Sequence, residues 1–331
     1  MAAVPMIELW RGGMLESVHM GHAVICDAEG GIVEAWGDPE AVIFPRSSCK
    51  MIQALPLIES GAADAAGLSV EQLALSCASH NGAAIHTERV ARWLADLGMS
   101  EADLRCGPQM PDDFAARKGL ICSDTVPCQI HNNCSGKHSG FLTLTRHLKA
   151  GPEYIDISHP VQVAVKTAFE EVTGQASPGY GVDGCSAPNF ATSVHGLARA
   201  MAFFATANPE GGTRARAAAR LVRAMTAYPE LVSGETGAST AFMRAMDGQV
   251  AVKSGAEAVF IAIVPAKKIG IAVKIIDGGS RGSEAAITAL LMRVGVLDRV
   301  HPVVARYLTG PQLNRRGIAA AELRLATGFA C

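Results

Sequence analysis

Apolar residues cluster in short runs near both ends of the chain, and each group of runs predicts strands. The predicted strands are Met6–Trp10, Gly21–Cys26, Ile32–Trp36, Ala258–Val264 and Ile269–Ile276. The turn residues Ala28–Gly31 predict a hairpin between the second and third runs. Pro265 to Lys268 join the last two runs, which predicts a second hairpin.

The middle of the chain has the spacing of apolar positions that is typical of helices. The predicted helices are Ser48–Ser60, Gly82–Gly98, Ser139–Leu148, Pro160–Thr173, Ala191–Ala205, Thr213–Thr226 and Ser283–Val294. Pro56 is expected to kink or shorten the first of them. Ser69 to Gln72 have the pattern of a capped helix start. Residues 100–135 and 178–187 are rich in loop-forming residues and predict functional loops.

The order of these elements predicts an α+β fold. Strands come first, then helices, then strands and a final helix, and alternating βαβ units are missing. We therefore expect one antiparallel sheet built from both chain ends, with helices on its faces and a helical insertion between. The whole chain, 1–331, is predicted to be a single catalytic unit. Its sheet comes from about 5–45 and 250–295, and its helical and loop region spans about 46–249.

Composition excludes several classes of partner. A formal net charge of −2 and 5% aromatic residues argue against nucleic acid. No apolar stretch reaches the roughly 18 residues that a membrane span needs, so we expect no membrane partner. The nine cysteines are an odd number, and the first twelve residues lack a secretory pattern. We therefore expect a reducing cytoplasmic location without a full set of disulfides.

Three motifs place serine next to lysine. Ser47 and Lys50 are three positions apart at a predicted helix start, so the two side chains would share a face. Alone, this spacing is more typical of a capping serine and a solvated lysine. Ser79-His80-Asn81 and Lys253-Ser254-Gly255 follow in order. The sequence S-x-x-K, S-x-N, K-[ST]-G is the pattern of penicillin-recognising serine hydrolases, in which Ser–Lys pairs activate a nucleophile and move its proton.

Two polar loops each carry one cysteine. Cys134 lies in residues 132–140, which also hold Lys137 and His138, and Cys185 lies in residues 182–189. Two cysteines with one histidine or lysine nitrogen could hold a zinc ion if the loops converge. The alternative is a pair of ordinary buried thiols, and spacing does not decide between them.

Taken together, five segments resemble the rhizobial-type L-asparaginases over about residues 5–325. The segments are Arg46–Lys50, Cys77–Gly82, Asn132–His138, Val182–Cys185 and Lys253–Glu257. The resemblance implies a fold similar to serine β-lactamases, hydrolysis of L-asparagine to L-aspartate and ammonia, and a homodimer.

The resemblance also implies roles for individual residues. It implies Ser–Lys tandems of Ser47 with Lys50 and of Ser79 with Lys253. It implies a zinc ion on Cys134, Lys137 and Cys185. The residues expected to bind substrate, with Arg46 clamping its carboxylate and Asp183 near the metal, are Arg46, His80, Asn81, His138 and Asp183.

The expected mechanism is attack of Ser47 on the side-chain amide, with neutral Lys50 as the base and an acyl-enzyme intermediate. Two alternatives stay open. One is a zinc hydrolase whose metal-bound water is the nucleophile. The other is a penicillin-binding or β-lactamase-like serine hydrolase, or a non-catalytic binder with the same fold.

Overall fold

A computed structural model describes residues 2–330. The strands are β1 Val4–Arg11, β2 Met14–Cys26, β3 Ile32–Trp36, β4 Val42–Ile43, β5 Tyr180–Val182, β6 Pro188–Phe190, β7 Thr192–Ser193, β8 Ala251–Gly255, β9 Val259–Val264, β10 Ile269–Ile275, β11 Gln312–Leu313 and β12 Ala319–Leu325. Irregular single turns occur at Arg46–Cys49, Glu101–Asp103, Gln129–His131, Pro265–Lys267 and Ala305–Thr309.

The helices account for most of the middle of the chain. They are α1 Lys50–Gln53, α2 Leu55–Glu59, α3 Ala62–Ala65, α4 Val70–Ser76, α5 Ala84–Asp96, α6 Phe114–Cys122, α7 Ser135–His147, α8 Pro160–Thr173, α9 Val194–Ala205, α10 Thr213–Ala227, α11 Pro229–Ser233, α12 Ala238–Ala245, α13 Ser280–Arg293 and α14 Pro302–Val304. Within residues 2–330, none of them has the length and apolar composition needed to cross a membrane.

Contacts divide the chain into two compact units. The first, which we call the sheet unit, comprises residues up to Ser48, Thr192–Thr206 and Ala241 onward. The second, which we call the helical unit, comprises Cys49–Ala191 and Ala207–Thr240.

The sheet unit contains one antiparallel sheet with the strand order β11-β12-β1-β2-β10-β9-β8, and β3 also pairs with β2. Both predicted hairpins are present, because β2 pairs with β3 and β9 pairs with β10. The expected α+β class, with an antiparallel sheet from both chain ends, is therefore confirmed. The sequence patterns missed β8, β11 and β12, which are short or lack a long apolar run.

Helices cover the sheet. All six residues of β9 are buried, which is typical of a strand covered on both faces, and both α9 and α13 pack on the sheet. Gly270 of β10 makes the closest approach to α9. A β-carbon at this position would lie 2.1 Å from the Ala202 backbone nitrogen and 2.2 Å from the Ala198 carbonyl oxygen. The small residue is therefore required for this helix to reach the sheet.

In the helical unit, α7 is the central helix. It packs against α2, α3, α4, α5 and α8, and every residue from Ser135 to Thr145 is buried. A helix surrounded in this way needs small residues at its closest contacts. At Gly136 a β-carbon would lie 2.4 Å from the Leu75 carbonyl oxygen of α4.

Several predicted helix boundaries shift for identifiable reasons. The first predicted helix is divided into the two short helices α1 and α2. Pro56 lies in the first turn of α2, where a proline is tolerated, and it cannot continue α1. Helix α7 begins one turn before the predicted start, so Lys137 and His138 are helical residues. The expected loop over 100–135 contains α6, whose N-cap Asp113 accepts a hydrogen bond from the Ala116 backbone at 2.8 Å.

Gly270→Ala is expected to lower the free energy of unfolding by about 3 kcal/mol, since α9 and β10 must separate to admit a methyl group. Gly119→Ala in α6 is the matched control, because a β-carbon there meets nothing within 4 Å. The control should be neutral or stabilising by up to about 1 kcal/mol. Urea titration of both variants measures the difference, and equal stability of the two would contradict the packing.

Candidate active site

The helical unit brings Lys50 into contact with the second-motif serine. Lys50 opens α1 and is 0% exposed. Its Nζ donates to Ser79 Oγ at 2.9 Å and to Cys134 Sγ at 3.1 Å, and it also bonds to the Ala78 carbonyl oxygen. Ser79 is held by its backbone N–H, which donates to the Val232 carbonyl at 2.9 Å. The buried Lys50 amine therefore links a half-buried hydroxyl to a buried thiol.

The sheet unit brings the first and third motifs together. Ser47 lies half-buried in the single turn Arg46–Cys49, and Gly255 ends β8. A β-carbon on Gly255 would lie 2.7 Å from the Pro45 carbonyl oxygen and 3.0 Å from the Ser48 backbone nitrogen. The glycine thus lets the edge strand of the sheet approach the serine turn directly.

Two basic residues belong to the same two segments: Lys253 lies on β8, and Arg46 lies in the turn that holds Ser47. Lys253 on β8 is 0% exposed, and its Nζ donates to the Ser254 carbonyl at 2.8 Å. Arg46 has a φ of 54°, a left-handed conformation that costs energy for a residue with a side chain. The pairings of Ser47 with Lys50 and of Ser79 with Lys253 remain predictions.

The two cysteine loops converge in the helical unit. Lys137 Nζ donates to Cys185 Sγ at 3.1 Å, and the Cys134 thiol shares a hydrogen bond with Cys185. Asn133 Oδ1, 2.9 Å from Cys134 Sγ, is an alternative acceptor for the single proton of this thiol. Lys137 is 2% exposed, and its amine lies 5.5 Å from the centre of the Phe141 ring. The predicted ligands Cys134, Lys137 and Cys185 are therefore neighbours.

The two sulfurs differ in their preference for a proton. The hydrogen bond with Cys185 and burial both raise the pKa of Cys134 well above its usual range. The hydrogen bond from Cys134, followed by the charges of Lys137 and His138, holds the pKa of Cys185 well below it, against the effect of burial. Burial alone would lower the pKa of Lys137, but Cys185, Cys134 and Asp183 raise it. Without a metal, these directions favour an ammonium on Lys137, a thiolate on Cys185 and a thiol on Cys134.

The donor set fits a soft divalent cation. Two sulfurs and one nitrogen are ligands that zinc prefers. Within residues 2–330, no three His, Cys, Asp or Glu side chains form a metal-binding group, so a zinc ion here would depend on the lysine nitrogen. Lys137 would have to lose its proton to coordinate.

His80 has both ring nitrogens committed within the protein. Its Nδ1 accepts from the Gly82 backbone at 3.1 Å, so its Nε2 donates to Ser135 Oγ at 2.9 Å. The ring also stacks on His86 with centroids 4.7 Å apart. Burial lowers the pKa of His80 well below its usual range. The predicted substrate contact of His80 would have to break one of these bonds.

The other expected substrate-binding residues of the helical unit lie around the cluster. Asn81 Oδ1 accepts from the Ala83 backbone at 3.3 Å. Asp183 accepts from the Gly184 backbone at 2.8 Å and acts on the charge of Lys137. His138 follows Lys137 on α7, and its Nδ1 lies 2.9 Å from the Tyr154 hydroxyl. No sequence motif indicated Tyr154, which comes near the cluster only through tertiary packing.

The cysteines outside the cluster make no disulfide among residues 2–330. Cys26 and Cys77 are buried, as the sequence predicts. Cys331 lies outside the described residues.

Amines in contact with a hydroxyl and with thiols can take up and return protons beside a nucleophile. The sequence profile of L-asparaginase II matches residues 7–325, and the chain therefore belongs to the L-asparaginase II family. None of the curated proteins matches the chain significantly.

Solved structures that match part of this chain include a protein named Mglu and a beta-lactamase. Mglu in its native form has 14% identity and a TM-score of 0.47 over 85% of this chain and 66% of that chain. Mglu in its tris and glutamate form has 16% identity and a TM-score of 0.48, over 84% of this chain and 59% of that chain. A beta-lactamase from Mycobacterium bovis has 13% identity and a TM-score of 0.47, over 84% of this chain and 95% of that chain. The chain thus spans less than two thirds of these two Mglu chains, and similarity at this level says nothing about activity.

In the metal-free protein, the lowered pKa of Cys185 predicts a thiolate that persists as the pH falls below about 8.5, the value for a free thiol. Ultraviolet thiolate absorbance at neutral pH should therefore fall in Cys185→Ser. Lys137→Met should move the same signal to higher pH by removing a positive charge. Cys122→Ser, which removes an exposed thiol, is the control. An unchanged signal in Cys185→Ser would contradict the assignment.

Proposed function

We propose that the protein hydrolyses the side-chain amide of L-asparagine to L-aspartate and ammonia, with Ser47 as the nucleophile. The observation that carries the proposal is the part-buried hydrogen bond from Lys50 Nζ to Ser79 Oγ at 2.9 Å. An amine and a hydroxyl in contact can exchange a proton, and amide hydrolysis needs such exchange twice. Membership of the L-asparaginase II family supports the substrate.

In the proposed first step, Ser47 Oγ bonds to the amide carbon and its proton passes to the neutral amine of Lys50. Backbone N–H groups stabilise the resulting oxyanion, and one such donor is typically worth about 3–4 kcal/mol. Ser79 and Lys253 then deliver a proton to the amide nitrogen as the carbon–nitrogen bond breaks, and ammonia leaves. The contact of Lys50 with Ser79 supports this route because it connects base and relay.

In the second step, water attacks the acyl-enzyme ester. The base that received the serine proton now takes a proton from this water, and the ester oxygen recovers its hydrogen as aspartate is released. The scheme requires Lys50 and Lys253, neither of which is exposed to solvent, to act as neutral amines.

Substrate orientation is the role we assign to the remaining residues. Arg46, half-buried next to the nucleophile, would pair with the α-carboxylate through its guanidinium. Asn81 and Asp183 are proposed to line the site, and His138 to support the cysteine cluster from behind it. The homodimer and the cytoplasmic location stay predictions.

A zinc ion held by Cys134, Lys137 and Cys185 would supply positive charge that anchors the polar end of the substrate. The convergence of these three side chains supports the ligand set. Asp183, which already acts on Lys137, would help to hold the charge of the site.

Ser47→Ala is expected to lower ammonia release from L-asparagine by at least about 10³-fold, because the acyl-enzyme cannot form. L-glutamine should be a poorer substrate, and a chromogenic β-lactam should not be turned over. Ammonia release and absorbance measure the three reactions. Turnover of the β-lactam alone would favour a β-lactamase-like hydrolase. If none of the three compounds is turned over, the result would favour a non-catalytic binder.

Ser48→Ala is the matched control for the nucleophile. Ser48 Oγ is buried and donates to the Pro45 carbonyl at 2.7 Å, so the variant should lose stability but keep most of its turnover. Retention of activity in Ser47→Ala, together with its loss in Ser48→Ala, would move the nucleophile to the second serine.

Metal removal separates the serine mechanism from a metal–water mechanism. If the cation only anchors substrate, a chelator should raise KM while kcat falls little. The measurement is full kinetics on chelator-treated protein, before and after zinc is returned. Complete loss of kcat that zinc alone restores would favour the metal–water hydrolase.

A further inference from the structure

The hydroxyl group of Tyr154 lies in the interior of the helical unit, and its hydrogen-bond partners there can be named. The side chain is 0% exposed. Its oxygen accepts from the Arg105 backbone N–H at 2.7 Å and lies 2.9 Å from His138 Nδ1. The Tyr154 backbone carbonyl in turn accepts from Gln162 Nε2 at 2.7 Å, which anchors the residue in place.

The direction of the Tyr154–His138 hydrogen bond follows from these partners. The tyrosine oxygen already accepts the Arg105 N–H, and its own proton needs an acceptor because a buried, unsatisfied hydroxyl is costly. Among residues 2–330, His138 Nδ1 is the acceptor that this hydroxyl reaches. Nδ1 must therefore present a lone pair, which leaves the ring proton on Nε2.

The opposite nitrogen of His138 is the one left to interact with the cysteine cluster, because Nδ1 is held by Tyr154. Within residues 2–330, Nε2 has no hydrogen-bond partner of ordinary geometry, although the ring is 0% exposed. Cys185 interacts with the His138 ring both as a weak hydrogen-bonding partner and through its charge. A ring N–H directed at a sulfur stabilises negative charge on that sulfur and fixes its direction, as the outer hydrogen bonds of metal ligands generally do.

We infer that Tyr154 is a positioning residue for the cysteine cluster: its hydroxyl holds His138 as the Nε2–H tautomer, so that the imidazole presents a proton to Cys185. The inference rests on the proposed function in that the cluster is taken to hold a cation beside the substrate. It has a direct consequence for the metal site. His138 cannot be a ligand while its Nε2 carries a proton, so it supports Cys185 from outside the coordination shell.

The tautomer can be measured without any turnover. Long-range proton–nitrogen correlation spectra distinguish the two neutral tautomers, and His138→Gln identifies the His138 signals. Wild-type protein is expected to show protonated Nε2 and unprotonated Nδ1. Tyr154→Phe should shift His138 toward a mixture of tautomers, whereas Tyr228→Phe, which alters a half-buried tyrosine between α10 and α11, should not.

Metal affinity is the second measurement. With zinc as the probe in a chelator competition, Tyr154→Phe is expected to weaken binding by about 10-fold to 100-fold. The double variant Tyr154→Phe/His138→Gln should bind no more weakly than His138→Gln alone, because tyrosine acts through histidine. Tyr228→Phe should bind zinc like the wild type.

Three results would overturn the inference. A proton on Nδ1 in the wild-type protein would do so even if Tyr154→Phe does not fold. Weaker zinc binding with an unchanged tautomer would reduce Tyr154 to a packing role. Additive effects in the double variant would separate Tyr154 from His138. Because neither readout uses asparagine, failure of the proposed reaction leaves this test intact, and the reverse also holds.

Discussion

Two lysine amines without water are the constraint on which the helical unit depends. An amine inside a protein is tolerated only with close partners, and Lys50 and Lys137 receive theirs from loops distant in sequence. Ser79 and Cys134 surround the first amine, and Cys185 meets the second. The loops must return to the starts of α1 and α7 for these contacts to form, so burial of the lysines fixes the course of the chain between its helices.

Small residues make this arrangement possible in both units. Gly136 lets α7 lie against α4, which carries Lys137 and His138 into the interior. Gly255 lets the edge strand β8 approach the turn that holds Ser47, and Gly270 lets α9 settle on the sheet. In each case a single β-carbon would meet backbone atoms, which have little freedom to move. Reactive side chains are thus positioned by neighbours that have no chemistry of their own.

The elements with strong periodicity could be predicted closely. Helix α8 occupies the predicted Pro160–Thr173, and β3 occupies Ile32–Trp36, because local pattern and boundary residues agree there. Helix α6 was missed because none of its residues is buried, so it has no apolar stripe to detect. The early start of α7 was missed because its first turn is polar, although the turn is buried by the helices around it. Patterns of hydrophobicity describe ordinary cores and fail where polar groups are buried for function.

The sequence by itself determined the α+β class, the two hairpins and the family, since these depend on local periodicity and on motifs in order. It also named Cys134, Lys137 and Cys185 as a candidate group. Only the tertiary structure decided that Lys50 contacts Ser79, that the two cysteine loops meet, and that Tyr154 faces His138. These contacts join residues far apart in the chain, and the direction of a proton depends on every partner around it, which no linear pattern records.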